Sequence, residues 1–371
     1  MPLTKIVNGL PDTIPFTGPE ELERRMGRRF RLRLGANESV FGISPLARDA
    51  MKRAVDRVWR YGDPGNRELL DALAVHHGIP VERLVLGSGI DDLLGLAVRA
   101  FLNPGDTAVA SLGAYPTFLY HVAGYGARSE QASYRFVGDA VHPLSNDLDA
   151  LGDLARRSDA RMVYLSNPDN PTGSWHTADD IRSLIGRLPG SCMFVLDEAY
   201  AEFAPEDVLP AADFDDSRLI RMRTFSKAHG MAGGRIGYAI GTPETISAFN
   251  RIRHHFGINR VAEEGALASL GDREFVRQVV KRVSEGRDDY ARAAKSVGLI
   301  TLPSATNFVS FDIGDGTRAD TLCGLLLDLG CFVRKSGTPP LDRCVRVTVG
   351  TEADRRLFGD ILERATSEMV R

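Results

Sequence analysis

Between residues 84 and 240 the chain returns six times to a short, largely apolar run, each separated from the next by a helix-like stretch or a polar turn. The runs at 84–86, 107–111, 162–166, 193–196, 219–222 and 236–240 lack the alternation of a strand with one wet face. Strands buried on both faces, interleaved with helical patterns such as 91–102 and 177–188, predict a mostly parallel sheet covered by helices on both sides. Ser44-Pro45 opens a further helix over 46–59, with proline in the first turn, and the turn cluster at 60–65 ends it. Beyond about residue 245 the texture changes. Amphipathic stretches at 243–255, 261–270 and 273–297 precede strands near 307–311, 331–334 and 345–349, then a helix from 352. The expected organisation is an extended arm over 1–35, a large domain over 36–245 and a small α/β domain over 246–371.

Composition removes several classes of partner. Lys and Arg number 46 against 49 Asp and Glu, a net charge of −3, so no field draws the chain onto nucleic acid or an anionic membrane. The most apolar window, 93–102, is too short to span a bilayer and contains Arg99, and residues 1–15 hold no continuous apolar run, so no secretory leader is expected. Cys192, Cys323, Cys331 and Cys344 form no C-x-x-C pair, which suits a reducing cytoplasm better than a disulfide framework. The pairs His76-His77 and His254-His255 have no partners at metal-binding spacing, so no metal is assigned.

Polar turns follow several of the strands, at the sheet edge where open α/β folds bind ligands. Gly87-Ser88-Gly89-Ile90-Asp91 precedes a helix whose exposed N–H groups suit a phosphate, though most such turns are only tight turns. Ser166-Asn167-Pro168-Asp169-Asn170-Pro171-Thr172-Gly173 follows the 162–166 run, and its prolines fix an extended path that aims Asn170 at the edge. Asp197 ends a buried strand, a costly place for a carboxylate without a donor or cation, although a helix N-cap would also explain it. Arg223-Thr224-Phe225-Ser226-Lys227-Ala228-His229-Gly230 leads to Gly233-Gly234-Arg235, and Lys227 is one of only six lysines in the chain. An amine beside fixed positive charge becomes nucleophilic, although a surface lysine would read the same. Gly233-Gly234-Arg235-Ile236-Gly237 does not match a dinucleotide fingerprint.

As a set these residues meet the needs of pyridoxal phosphate. Lys227 offers an amine to its aldehyde, Asp197 a carboxylate to its ring nitrogen, and Asn170 and Tyr200 donors to its phenolate oxygen. Ser226, Arg235 and the backbone of Gly89, Ile90 and Asp91 suit its phosphate. The order Ser-Asn-Pro-x-Asn-Pro-Thr-Gly, Asp-Glu-Ala-Tyr, Ser-Lys-x-x-x-x-x-Gly-x-Arg-x-Gly and Val-Arg-Val-Thr-Val-Gly-Thr resembles the fold-type I pyridoxal-phosphate aminotransferases over most of the chain. Asn37-Glu38, the segment 99–106 and Pro116-Thr117-Phe118 are most similar to the histidinol-phosphate aminotransferases.

The resemblance implies an aspartate-aminotransferase-like fold and the same cofactor roles, with Lys227, Asp197 and Tyr200 catalytic. It further implies that Phe118 stacks on the ring, Tyr115 being a second aromatic available for this. It places Arg346, assisted by Arg334, on the substrate's anion, and Asn37 in the substrate site. Tyr61 matches a tyrosine that reaches the neighbouring subunit's cofactor phosphate, which implies a homodimer with shared sites.

The expected reaction is transamination between an amino donor such as histidinol phosphate and a 2-oxo acid such as 2-oxoglutarate. One departure touches the substrate. The arm reads Ile14-Pro15-Phe16-Thr17-Gly18, so Phe16 replaces a tyrosine that contacts the distal end. His229 has no assigned role; substrate contact is one reading, and a hydrogen-bonded structural histidine is the expected one. Phe16 favours an aromatic amino acid as an alternative donor. The other readings are decarboxylation of a phosphorylated amino acid, a non-enzymatic regulator that keeps the cofactor shell, and nucleotide binding, which has no need of Lys227.

Overall fold

In the computed structural model, which describes residues 2–12, 17–138, 141–211 and 213–369, the six apolar runs are strands of one seven-stranded sheet. Across it the strands run Leu84–Gly87, Gly237–Ile240, Leu219–Thr224, Met193–Asp197, Met162–Ser166, Thr107–Ser111 and Arg128–Ala132. Every neighbouring pair is parallel except those of Gly237–Ile240, which runs against both its neighbours. The seventh strand, Arg128–Ala132, is absent from the sequence reading for a physical reason. It is an edge strand of sequence Arg-Ser-Glu-Gln-Ala, exposed for most of its length, so it needs no apolar run.

Helices cover both faces. Ile90–Phe101 buries Leu93, Leu94, Ala97 and Val98 against one face, together with Pro116–Gly124. Leu148–Arg157 and Ala178–Arg187 cover the other, the second opened by a reciprocal Thr177–Asp180 capping box. A second sheet of four antiparallel strands runs in the order Ile300–Thr301, Phe308–Asp312, Cys344–Thr348 and Arg334–Lys335. Helices Arg273–Ser296, Gly316–Asp328 and Glu352–Met369 pack on it through Val283, Tyr290, Leu322 and Phe358. Among the described residues, no helix is long and apolar enough to cross a membrane.

Two expectations are corrected. The arm over 1–35 is not extended throughout. It forms helices Lys5–Asn8 and Pro19–Met26, then a strand, Leu32–Arg33, parallel to Cys331–Phe332. The second helix has the local signals for one: Pro19 in the first turn with Glu20 and Glu21, Arg24 and Arg25 in the last, and Gly27 left-handed after it. The helix expected over 46–59 is Pro45–Val55, because Arg57 and Val58 bond back three residues, to Ala54 and Val55, and tighten the chain into turns.

A buried ion pair ties the central strands together just below the sheet's functional edge. The Glu198 carboxylate, with no exposed side-chain surface, accepts from Arg221 Nε at 2.9 Å and from Arg223 Nε at 2.8 Å. Burial pushes its pKa up, and the two guanidiniums outweigh that and hold it below the usual carboxylate range. Replacing Glu198 with Gln leaves two buried cations facing a neutral amide. We expect a loss of about 3 kcal/mol in urea unfolding. A wild-type midpoint would mean that the pair does not hold the sheet.

Candidate active site

Of three neighbouring parallel strands, Met162–Ser166 and Met193–Asp197 end level, with Ser166 opposite Asp197, and Leu219–Thr224 runs two residues past Met222, the partner of Asp197. Their C-terminal ends therefore deliver the 166–174 loop, Asp197 and the Lys227 segment to one crevice. The Asp197 carboxylate is buried; its Oδ2 accepts from the Tyr164 hydroxyl at 2.8 Å and its Oδ1 from the Ala199 N–H at 3.0 Å. Burial raises its pKa to about 6, and those two donors limit the rise. In the 166–174 loop, buried Asp169 accepts from Thr172 Oγ1 at 2.6 Å, Asn146 Nδ2 at 2.9 Å and the Tyr134 hydroxyl at 3.1 Å. That network fixes the turn carrying Asn170, whose Oδ1 accepts from Arg346 Nη1.

The Lys227 segment is a tight turn. Gly230 N–H donates to the Lys227 carbonyl at 3.0 Å, and Met231 N–H to that of Phe225 at 2.9 Å. Gly230 has φ +72°, and a Cβ there would lie 1.9 Å from the Gly42 carbonyl oxygen, so only glycine allows this approach. Lys227 Nζ donates to the Asn37 carbonyl at 3.2 Å and lies 5.7 Å from the Tyr200 ring centroid. Burial first, and the Arg346 charge second, lower its pKa to about 8. His229 does not face the cavities: its Nδ1 bonds Ser269 Oγ at 2.8 Å and its ring packs on Phe225 at 4.7 Å.

A cavity of about 210 Å³ is lined by Asp197, Asn170, Tyr200, Thr224, Ser226, Lys227, Arg235, Ile90 and Asp91. At one corner helix Ile90–Phe101 begins after Gly89, and among the described residues no side chain caps its first turn. Arg235 lies over Gly89 so closely that a Cβ there would come 2.5 Å from the guanidinium, and its Nη1 points to Ser226 Oγ at 3.5 Å. Thr224 Oγ1 donates to the same Ser226 oxygen at 2.9 Å. Uncapped N–H groups, hydroxyls and a guanidinium at one corner make an anion site.

A second cavity, of about 580 Å³, shares Asp91, Tyr115, Asn170, Tyr200 and Lys227 with the first. It adds Arg334 and Arg346, which sit opposite each other on paired strands, and Gly18-Pro19 of the arm. Arg346 is occupied by Asn170 and by the Gly35 carbonyl at 3.1 Å, while its buried Nε has no partner among the described residues. Arg334 Nη2 donates to the Thr17 carbonyl at 2.7 Å. Asn37, buried at φ +55°, donates from Nδ2 to the Tyr200 hydroxyl at 2.9 Å and accepts from Thr348 Oγ1.

Phe118 is not at this site, contrary to expectation. It is fully buried, lines neither cavity and stacks on Tyr164 with centroids 4.8 Å apart. Pro116 starts a helix, which turns residue 118 into the core and leaves Tyr115, just before it, lining both cavities. The Tyr115 hydroxyl donates to Asp91 at 2.9 Å. Tyr61 lines neither cavity; it is 80% exposed and packs on Phe256. Phe16 lies outside the described residues. Tyr164 and Thr224 were missed as contributors: the first is hidden inside an apolar run, the second sits two positions before Ser226.

Pyridoxal phosphate fits this donor set. The amine, the buried carboxylate and the uncapped helix start surround one cavity, each suited to a different part of that molecule. Comparison with known proteins agrees. Residues 31–359 match the model of the aminotransferase class I and II family. The chain belongs to that family. It is 35% identical to histidinol-phosphate aminotransferase 2 of Nitrosospira multiformis over 350 residues, covering 91% of this chain and 85% of that one. The relative of the same name from Carboxydothermus hydrogenoformans is 34% identical, covering 95% and 96%. The crystal structure of histidinol-phosphate aminotransferase from Sinorhizobium meliloti in complex with pyridoxal-5′-phosphate superposes with a TM-score of 0.93 and 41% identity, over 99% of this chain and 98% of that one.

The depressed Lys227 amine sets a measurable expectation. In this aminotransferase the rate at which cofactor-free protein captures an aldehyde at Lys227 rises through a midpoint near pH 8. Arg346→Gln, by removing a neighbouring positive charge, moves the midpoint upward. A midpoint near 10 in the parent protein would contradict the burial argument.

Proposed function

We propose that this aminotransferase uses pyridoxal phosphate to exchange an amino group between histidinol phosphate, or a closely similar amine, and a 2-oxo acid, with 2-oxoglutarate as the acceptor. The single observation that carries this reading is the meeting of Lys227, Asp197 and the uncapped helix start around one cavity that opens beside two arginines. The names of the relatives support the choice of amine. We infer further that the cofactor is carried by the unit over 36–245, and that the unit over 246–371 supplies Arg334 and Arg346.

Bound pyridoxal phosphate would supply an electron sink for the charge left when an amino acid loses its α-proton. Lys227 Nζ would bond the cofactor and carry a proton, since a pKa lowered to about 8 leaves a usable minority of it uncharged near neutral pH. Asp197 would face the ring nitrogen, with Asn170 and Tyr200 at the phenolate oxygen and Tyr115 against the ring. Ser226, Arg235 and the N–H groups of Ile90 and Asp91 would hold the phosphate. Arg346, whose buried Nε has no partner among the described residues, would take the anion of either substrate, and Arg334 would assist. Asn37 steadies both Tyr200 and Lys227.

A homodimer is part of the same proposal. Val58, Trp59, Tyr61 and Phe256 are all more than half exposed on one chain, an apolar surface suited to a second copy. Tyr61 would then reach the partner's site.

Incubation with 2-oxoglutarate and, separately, histidinol phosphate, phenylalanine, tyrosine and aliphatic amino acids tests the reading. Glutamate should form fastest with histidinol phosphate. Faster turnover of an aromatic amino acid would replace the substrate assignment, and carbon dioxide release without glutamate would replace the reaction. Arg346→Gln should raise KM for donor and acceptor alike by roughly 10- to 100-fold, the loss of a charged hydrogen bond.

A further inference from the structure

We propose that Tyr164 is a positioning residue for Asp197: its hydroxyl holds that carboxylate ionised and facing the cofactor cavity. The inference rests on the reading above that Asp197 partners the cofactor's ring nitrogen.

Tyr164 lies on the strand Met162–Ser166, 1% exposed, with Val195 opposite it on the neighbouring strand. Side chains two apart on a strand share a face, so Asp197 is its diagonal neighbour on the same side of the sheet. A phenol bridges that diagonal, and its hydroxyl reaches Asp197 Oδ2 at 2.8 Å. The other oxygen, Oδ1, takes the Ala199 N–H at 3.0 Å, so each carboxylate oxygen has one fixed donor. Phe118 stacks on the ring with planes 14° apart. Phe118 thus has a place in this arrangement without touching the cavity.

Packing alone would be met by phenylalanine at 164, since Phe118, Met162 and Val195 around it are apolar. What the hydroxyl adds is a donor that does not titrate away: burial holds its pKa well above the ordinary tyrosine value. The other charged and titratable groups facing Asp197 are few. Lys227, after the strand Leu219–Thr224, favours its ionised form, and Asp91, from helix Ile90–Phe101, opposes it. Tyr115 and Tyr200 also face it, both held neutral by burial. Removing the Tyr164 hydroxyl removes the largest influence opposing burial.

The test compares parent protein, Tyr164→Phe, Phe118→Leu and Asp197→Asn. Infrared titration of cofactor-free protein follows the protonated carboxyl band that Asp197→Asn abolishes. Tyr164→Phe should shift its midpoint up by about one pH unit. Phe118→Leu disturbs the same core, keeps the hydroxyl, and should leave the midpoint in place. By linkage, Tyr164→Phe should bind pyridoxal phosphate about threefold more weakly at pH 6.5 and equally well at pH 8.5. An unchanged midpoint in Tyr164→Phe, or an equal shift in Phe118→Leu, overturns the proposal. If instead the parent protein fails to bind pyridoxal phosphate, or Asp197→Asn binds it as well as the parent does, the reading of the site itself fails.

Discussion

Burial of two opposite charges in one crevice is the constraint on which the site depends. Asp197 and Lys227 both sit where water is scarce, and scarcity of water disfavours the charged form of each. The carboxyl is driven up to about 6 and the amine down to about 8. Two groups that in water titrate far apart are thereby brought to either side of neutrality, where an amine can exchange protons and a carboxylate can still hold a cation. Neither shift requires an unusual residue. Both follow from carrying polar side chains to the ends of buried strands.

The rest of the architecture holds that crevice in place. Glu198, one residue past Asp197, is clamped by Arg221 and Arg223 from the next strand, so the end of Met193–Asp197 cannot drift. Asp169 gathers three side-chain donors to set the turn before Asn170. Two non-glycine residues of the site, Asn37 and Arg235, have positive φ, a conformation that costs about 1–3 kcal/mol and persists only where surroundings enforce it. For Asn37 the enforcing contacts come from Thr348 and Asn307, in the part of the chain that also carries Arg346. Rigid packing on one sheet and polar clamping from the other therefore meet at the same atoms.

What could be read from the sequence follows from how each feature is encoded. The parallel strands were legible because burial on both faces leaves a continuous apolar run, and their polar ends mark where the crevice must be. Lys227, Asp197, Asn170, Ser226 and Arg235 come from separate segments, and the order of strands is enough to bring such ends together. Rotation about a helix axis is not encoded so plainly. Phe118 and Tyr115 sit in one short motif, and only the helix started by Pro116 decides which faces the cavity. Tyr164 was hidden because a strand's apolar run does not reveal that one of its members carries a working hydroxyl. The pairing of Arg346 with Asn170, 176 positions apart, depends on how the two sheets face each other. Arg128–Ala132 was invisible because an edge strand needs no apolar sequence.

The central claim is a covalent bond between one nitrogen of this chain and pyridoxal phosphate. Borohydride treatment of the holoenzyme followed by proteolysis and mass spectrometry locates that nitrogen directly. The account predicts a stable pyridoxyl-phosphate adduct on the peptide containing Lys227 and on no peptide containing Lys335 or the other lysines. An adduct elsewhere, or a protein that retains the cofactor with Lys227 unmodified, would contradict it.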